Sequence, residues 1–273
     1  MIFGRYSVKP STGRAKKKLV KKKSSRLVPL SPQDPTYIQL ENHFQDGWTH
    51  PRKPKPQVHA IFEILLTEES SAAFLRYRAI VENSRSPRDA NEQLLFHGTI
   101  RSCLLGDKKG GTQLCEIAGC LLCSVIRNSF DLSKCGQRHK FCRFGTGIYS
   151  TATSSKADDY IIGVPESPFR AVLVNRVVVG NPLTRQYNAK EITELTSGYH
   201  SVNISFCSFS QQVVGVPGAG LNYGETVVYN NDAIRPAYLI VYAADIPPEI
   251  AVTRSRLVKQ TTSRRAVLLK PRK

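Results

Sequence analysis

The chain lacks any run of about eighteen apolar residues, so it offers no membrane-spanning helix. Its first thirty residues lack the apolar centre of a secretory signal and are basic instead. No glycine-rich strand-to-helix loop of the Rossmann or Walker kind occurs, which removes the commonest phosphate cradles. No internal repeat is present. Acidic residues are missing from positions 1–30 and 251–273 altogether. Cysteines are odd in number, seven in all, with no paired Cys-x2-Cys ribbon signature. That usage fits a reducing compartment better than a disulfide framework.

What remains is a chain of 273 residues with 41% apolar content, enough for one large domain or two small ones. The formal charge of +18 is unevenly placed: ten Lys/Arg lie in residues 1–30 and eight in 251–273, while the other 21 balance all 21 acids in between. Like-charged runs repel themselves and rarely pack. The expected organisation is therefore a basic disordered tail over 1–35, a neutral folded domain over 36–250 and a basic tail over 251–273. Lys16-Lys17-Lys18 and Lys21-Lys22-Lys23 look like a nuclear-import signal, so a nuclear rather than cytoplasmic location is expected. Such runs also release counterions from phosphate, so non-specific contact with nucleic acid is expected of them too.

Within the centre, Tyr37, Leu40, Phe44 and Trp48 recur at intervals of three and four, the face of a helix. Pro51, Pro54 and Pro56 end it. Val58 to Ile64 alternates as a strand does, and Thr67-Glu68-Glu69 starts a second helix. Leu94-Leu95-Phe96 reads as a short buried strand, 113–130 as one helix or two helical turns, and Ala171–Val179 as a strand. Residues 181–220 read as loop-rich, and Val227–Tyr229 and Ala237–Tyr242 as the last two strands. Strands at both ends with helices on one side favour α+β with mainly antiparallel sheets.

Three short segments carry chemistry. His97-Gly98-Thr99 follows a buried strand directly, and glycine lets a flat ligand approach backbone N–H and C=O groups because no Cβ intervenes. A primary carboxamide needs one donor and one acceptor side by side, which Gly98 backbone supplies, while a His97 ring nitrogen can bond a ribose hydroxyl. Gly145-Thr146-Gly147-Ile148-Tyr149 brings an aromatic ring behind a tight turn, with Tyr160 eleven residues on. Two tyrosines can flank a pyridinium, each gaining roughly 0.5–2 kcal/mol from the cation–π interaction. Glu225 precedes the β-branched run Thr226-Val227-Val228, which puts a carboxylate at the start of a buried strand.

In this order, Leu95-Phe96-His97-Gly98-Thr99, Phe144–Tyr149 with Ser155-Lys156-Ala157 and Tyr160, Tyr223–Tyr229 and Pro236–Ile240 resemble the catalytic domain of the poly(ADP-ribose) polymerases. Those are diphtheria-toxin-like ADP-ribosyltransferases. Cys115, Cys120-Leu121-Leu122-Cys123, Ser129-Phe130 and Gly198–Val202 look most similar to fungal members. The resemblance implies a split, mainly antiparallel α+β fold with flanking helices and a His97–Tyr149–Glu225 triad. It implies NAD+ as substrate, held by His97, Gly98, Thr99, Tyr149, Tyr160 and Glu225, with His97, Tyr149 and Glu225 catalytic. One carboxylate suffices, because nicotinamide in NAD+ is already cationic and leaves neutral. An ordinary glycosidase needs a second acid for its leaving group. The implied partners are NAD+ and a protein or nucleic-acid acceptor, with one unit or many transferred. The alternative is a catalytically weak NAD- or ADP-ribose-binding module tethered to nucleic acid by the basic tails.

The sequence departs from the family where a serine faces the carboxamide: here stands Ala157, with Ser155 two residues before it. Ser150-Thr151 replaces an aromatic-alanine pair. Cys115-x4-Cys120-x2-Cys123 and Cys135-x3-His139-x2-Cys142 have zinc-compatible spacing, but small buried core thiols look the same. Reduced thiols are the favoured reading, structural zinc the minority one, and no residue is assigned to a metal.

Overall fold

The computed structural model describes residues 25–108, 110–135, 142–185, 188–204 and 223–243. Most of the N-terminal basic tail, all of the C-terminal one and residues 205–222 lie outside them. Strand β1 (Leu27–Pro29) is the first element of the described residues. It pairs antiparallel with β2 (Gln57–Ile64), so Leu27–Pro29 belongs to the sheet, where the sequence places tail and linker. Leu27 is buried in the hydrophobic core.

Helix α1 (Pro35–Asp46) begins as its sequence dictates: the Asp34 side chain accepts from Thr36 N at 2.8 Å, and Pro35 occupies a first-turn position where no N–H is needed. Tyr37, Leu40 and Phe44 form its buried stripe. Helix α2 (Glu68–Asn83) is capped by Thr67, whose hydroxyl accepts from Ser70 N at 3.1 Å, with Glu68 and Glu69 facing the positive end of the helix dipole. Then come β3 (Glu92–His97) and α3 (Leu121–Asn128). The expected helical stretch over 113–130 is thus a single eight-residue helix preceded by irregular chain.

The second half runs through β4 (Ile148–Ser150), the short α4 (Ser154–Asp158) and β5 (Arg170–Val178). It continues with β6 (Pro182–Arg185), β7 (Ser201–Ile204), β8 (Glu225–Val228) and β9 (Ile234–Ala243). Strands β6 and β7 correct the loop reading of 181–220. They pair in parallel with each other, a long-range partnership that no local pattern signals.

Two sheets result, one of order β1-β2-β9-β5-β3 and one of order β4-β8-β7-β6. The first is antiparallel throughout, and only β6–β7 in the second is parallel. This is the expected split α+β arrangement. Alternation along β5 sends Val172 and Val174 to a core shared with α1 residues Leu40 and Phe44, and Ala171 and Leu173 to a core shared with α3 residues Leu122 and Ile126. The two sheets meet where Phe96 of β3 bridges Thr151, just after β4, through N–H···O bonds of 2.7 and 3.1 Å. Among the described residues no helix is long and apolar enough to cross a membrane.

Candidate functional site

That junction between the sheets is hollow. A cavity of about 280 Å³ is lined by His97, Gly98, Thr99, Tyr149, Tyr160 and Glu225, so the structure brings all six sequence-expected residues to one place. A larger open groove of about 630 Å³ between β2, α2 and β9 contains none of them.

His97 ends β3 beside the bridge. Its Nδ1 lies 2.8 Å from Tyr149 O. A carbonyl only accepts, so Nδ1 carries the proton and donates, which leaves Nε2 as an acceptor. Burial lowers the imidazole pKa below its ordinary value, against the opposing pull of the Tyr149 carbonyl. The ring is therefore neutral at pH 7, and it meets the Phe130 ring edge-on at 5.1 Å between centroids.

Gly98 is required by close packing. A Cβ there would fall 1.8 Å from Ala157 O, so this corner of β3 lies directly on the α4 backbone. Gly145 is required by its backbone, at φ +66°, in the turn that delivers β4. Tyr149, on β4, is fixed at both ends of its hydroxyl: it donates to Gly145 O at 2.9 Å and accepts from Phe144 N at 3.0 Å. Burial raises its phenol pKa, so the hydroxyl stays protonated and the ring is a rigid wall. Tyr160 stands at the mouth, 43% exposed. Burial and then the nearby Glu225 charge raise its pKa.

Glu225 begins β8, whose four residues are all buried because β4 and β7 flank them. Its Oε1 lies 2.8 Å from Lys156 Nζ, with the two side chains only 8% and 10% exposed. The segment leading to it is tied down from α4 and its approach: Thr151 Oγ1 donates to Gly224 O at 2.7 Å, and Lys156 Nζ reaches Tyr223 O at 3.4 Å. Lys156 thus orients one carboxylate oxygen. The sequence shows Lys156 only as a neighbour of Ala157, because its partner lies 69 residues away.

Ser155 does not stand in for the serine replaced by Ala157. Its hydroxyl accepts from Thr49 N and His50 N at 3.3 and 3.2 Å, behind the cavity wall. Three buried polar atoms of cavity-lining residues have no hydrogen-bond partner among the described residues: Ser129 Oγ, Arg143 Nη1 and Ser150 Oγ. Unsatisfied buried polar atoms are costly, and their gathering here fits a polar ligand. Of these, Ser150 lies next to Tyr149, and Arg143 directly precedes the Phe144–Tyr149 segment, so both were within reach of the motif.

Residues 120–244 match the family model of the poly(ADP-ribose) polymerase catalytic domain. The matched span takes in Tyr149, Lys156, Tyr160 and Glu225. It begins after His97-Gly98-Thr99, which the β3–β4 bridge delivers to the same cavity. The match supports the poly(ADP-ribose) polymerase family, its mixed α+β ADP-ribosyltransferase fold, and NAD+ as its substrate. The unpartnered polar atoms of the cavity-lining residues fit such a ligand on the structure's own terms.

Proposed function

We propose that this protein is an NAD+ ADP-ribosyltransferase that breaks the nicotinamide–ribose bond and passes ADP-ribose to a macromolecular acceptor. The observation that carries this reading is the buried Glu225 carboxylate, oriented by Lys156, in the same cavity as neutral His97 and the anchored Tyr149 ring.

In this reading Gly98 backbone takes the carboxamide and His97 Nε2 accepts from a ribose hydroxyl, with Thr99 beside it. Tyr149 and Tyr160 flank the nicotinamide. Glu225 offers the oxygen not engaged by Lys156 to the nicotinamide ribose, where positive charge develops as the bond breaks. A fixed carboxylate in a site with little water stabilises that charge without reorganising. Lys156 positions Glu225 by holding one of its oxygens. The low volume of the cavity suits nicotinamide and its ribose, with the remainder of the dinucleotide toward the mouth. The cationic runs at the chain ends serve nuclear import and non-specific nucleic-acid contact.

The test is incubation of the full chain with NAD+ labelled on the adenosine side, followed by nicotinamide release and label retained on protein or nucleic acid. Release with label transfer is expected. Binding of NAD+ without release, across protein and nucleic-acid acceptors, would instead make the domain a binding module.

His97 gives this reading a pH signature. Its native pKa lies below the usual value of about 6.5, and the neutral ring is the form that accepts. NAD+ affinity should therefore be flat near pH 7 and fall only at pH values below the ordinary histidine value, as pH drops through the lowered pKa. Calorimetric titration of the wild type and His97→Asn over this range checks it. An acid limb that survives in His97→Asn assigns the proton to another group.

A further inference from the structure

Four of the cysteines converge. Cys103 lies in the loop after His97-Gly98-Thr99, Cys115 in the irregular chain before α3, Cys120 at the α3 N-cap and Cys123 in its first turn. Their Sγ atoms all lie within 4.8 Å of one another, and all four thiols are free. Cys103 Sγ is 3.7 Å from Cys120 Sγ and 3.6 Å from Cys123 Sγ. A tetrahedral zinc site with Zn–S near 2.3 Å requires sulfur–sulfur edges of about 3.8 Å. Disulfides need sulfur atoms about 2.05 Å apart. The four positions therefore have the spacing of a metal cage and lack that of bridges.

We propose that Cys103, Cys115, Cys120 and Cys123 hold one structural Zn2+. Sequence spacing brings together only the last three, and Cys103 completes the set from twelve residues before Cys115. The surroundings suit thiolates. Ser102 N donates to Cys120 Sγ at 3.4 Å. Such N–H···S contacts orient metal-bound sulfur. Binding takes four thiol protons off and leaves a site of net charge −2. Arg127, whose Nη2 donates to Cys115 O at 2.5 Å, brings a compensating cation. The α3 N-cap also lacks a side-chain hydrogen bond, so the Cys120 sulfur is free of capping duty.

The metal would have a definite mechanical role. Leu122 N bonds Ile100 O at 2.8 Å, so the cluster sits where the chain leaving Thr99 meets α3. Leu121, Ser124 and Val125 of that helix line the cavity. Zinc would pin this wall, where the irregular stretch 111–119 supplies no regular structure of its own.

The experiment is metal analysis of the full chain expressed in zinc-supplemented medium and purified under reducing conditions without chelator. One zinc per chain is expected. It should fall at least about tenfold in Cys103→Ser and Cys123→Ser and stay in Cys135→Ser. X-ray absorption on the wild type keeps the test independent of whether those variants fold: a sulfur-only shell of four ligands near 2.3 Å is expected. A folded wild type that neither carries nor takes up zinc overturns the proposal. So does a mixed nitrogen–sulfur shell, or zinc lost in Cys135→Ser and kept in Cys103→Ser. None of these readouts depends on NAD+ turnover.

Discussion

Glu225→Gln should lower nicotinamide release and ADP-ribosyl transfer by about 10²–10³-fold, the usual effect of removing one pre-positioned electrostatic group from a transition state. Glutamine keeps the volume and one hydrogen-bonding oxygen, so NAD+ should still bind, within about threefold of the wild type by the same logic of differential binding. The charge is what disappears. Lys156 would then be an ammonium about nine-tenths buried with no carboxylate opposite. Leaving one member of a buried pair unpaired is itself destabilising, so the variant's stability must be measured beside its rate. Glu225→Gln with Lys156→Met removes both charges and separates the two effects. If the carboxylate acts on the breaking bond, the double variant regains stability and stays slow. Single-turnover nicotinamide release with calorimetric NAD+ binding measures each part. A Glu225→Gln enzyme as fast as wild type would end the assignment.

The site was legible in the sequence to the degree that its residues sit on short-range patterns. Glu225 stands before Thr226-Val227-Val228, and a β-branched run is a strand wherever it is flanked on both sides. His97 follows Leu94-Leu95-Phe96, a short apolar run that reads as a buried strand. The alternation in β5 and the Thr67 cap of α2 are local statements as well. What escaped is non-local. β6 and β7 are four residues each, with Thr184, Arg185 and Asn203 among them, and they are strands because they find each other and β8. The apolar residues of 113–119 suggested helix, yet Leu114 and Cys115 turn instead toward the core around the cysteine cluster. Lys156 had no visible partner until β8 came beside α4. Cys103 had none until its loop met α3. The first contact spans 69 residues and the second 17 to 20, beyond the reach of any helical or strand period along the chain.

Loss of Asp158 should be the most damaging single change to the stability of the cavity floor. Its carboxylate ends α4, the element that presents Lys156 and underlies Gly98. It accepts from Lys53 Nζ at 2.7 Å, from Arg170 Nε, and from the hydroxyl of fully buried Tyr242 at 2.6 Å. Asp158→Ala strands that hydroxyl and takes the carboxylate from Arg170, while Lys53 keeps Asp159 at 2.5 Å. Breaking a buried pair costs about 3–5 kcal/mol; Lys53 and Arg170 are partly solvated, which favours the lower end. A chain of this size then melts about 6–12 °C lower. Burial alone would raise the Asp158 pKa, but the hydrogen bonds from Lys53 and Tyr242 and the Arg170 charge outweigh it and bring the pKa below its ordinary value. A depressed native pKa contributes stability above the unfolded value of about 3.9, and that contribution is lost as pH falls through the lower native value. The melting gap between wild type and Asp158→Ala should thus be full at pH 6 and narrow steadily below about pH 4. Asp158→Asn, which keeps an acceptor for Tyr242 without the charge, should fall between them at pH 6 and show no such narrowing against Asp158→Ala. Thermal melts of the three proteins across this range decide the matter: a gap that does not change with pH would mean that the carboxylate stabilises α4 by shape and hydrogen bonding alone.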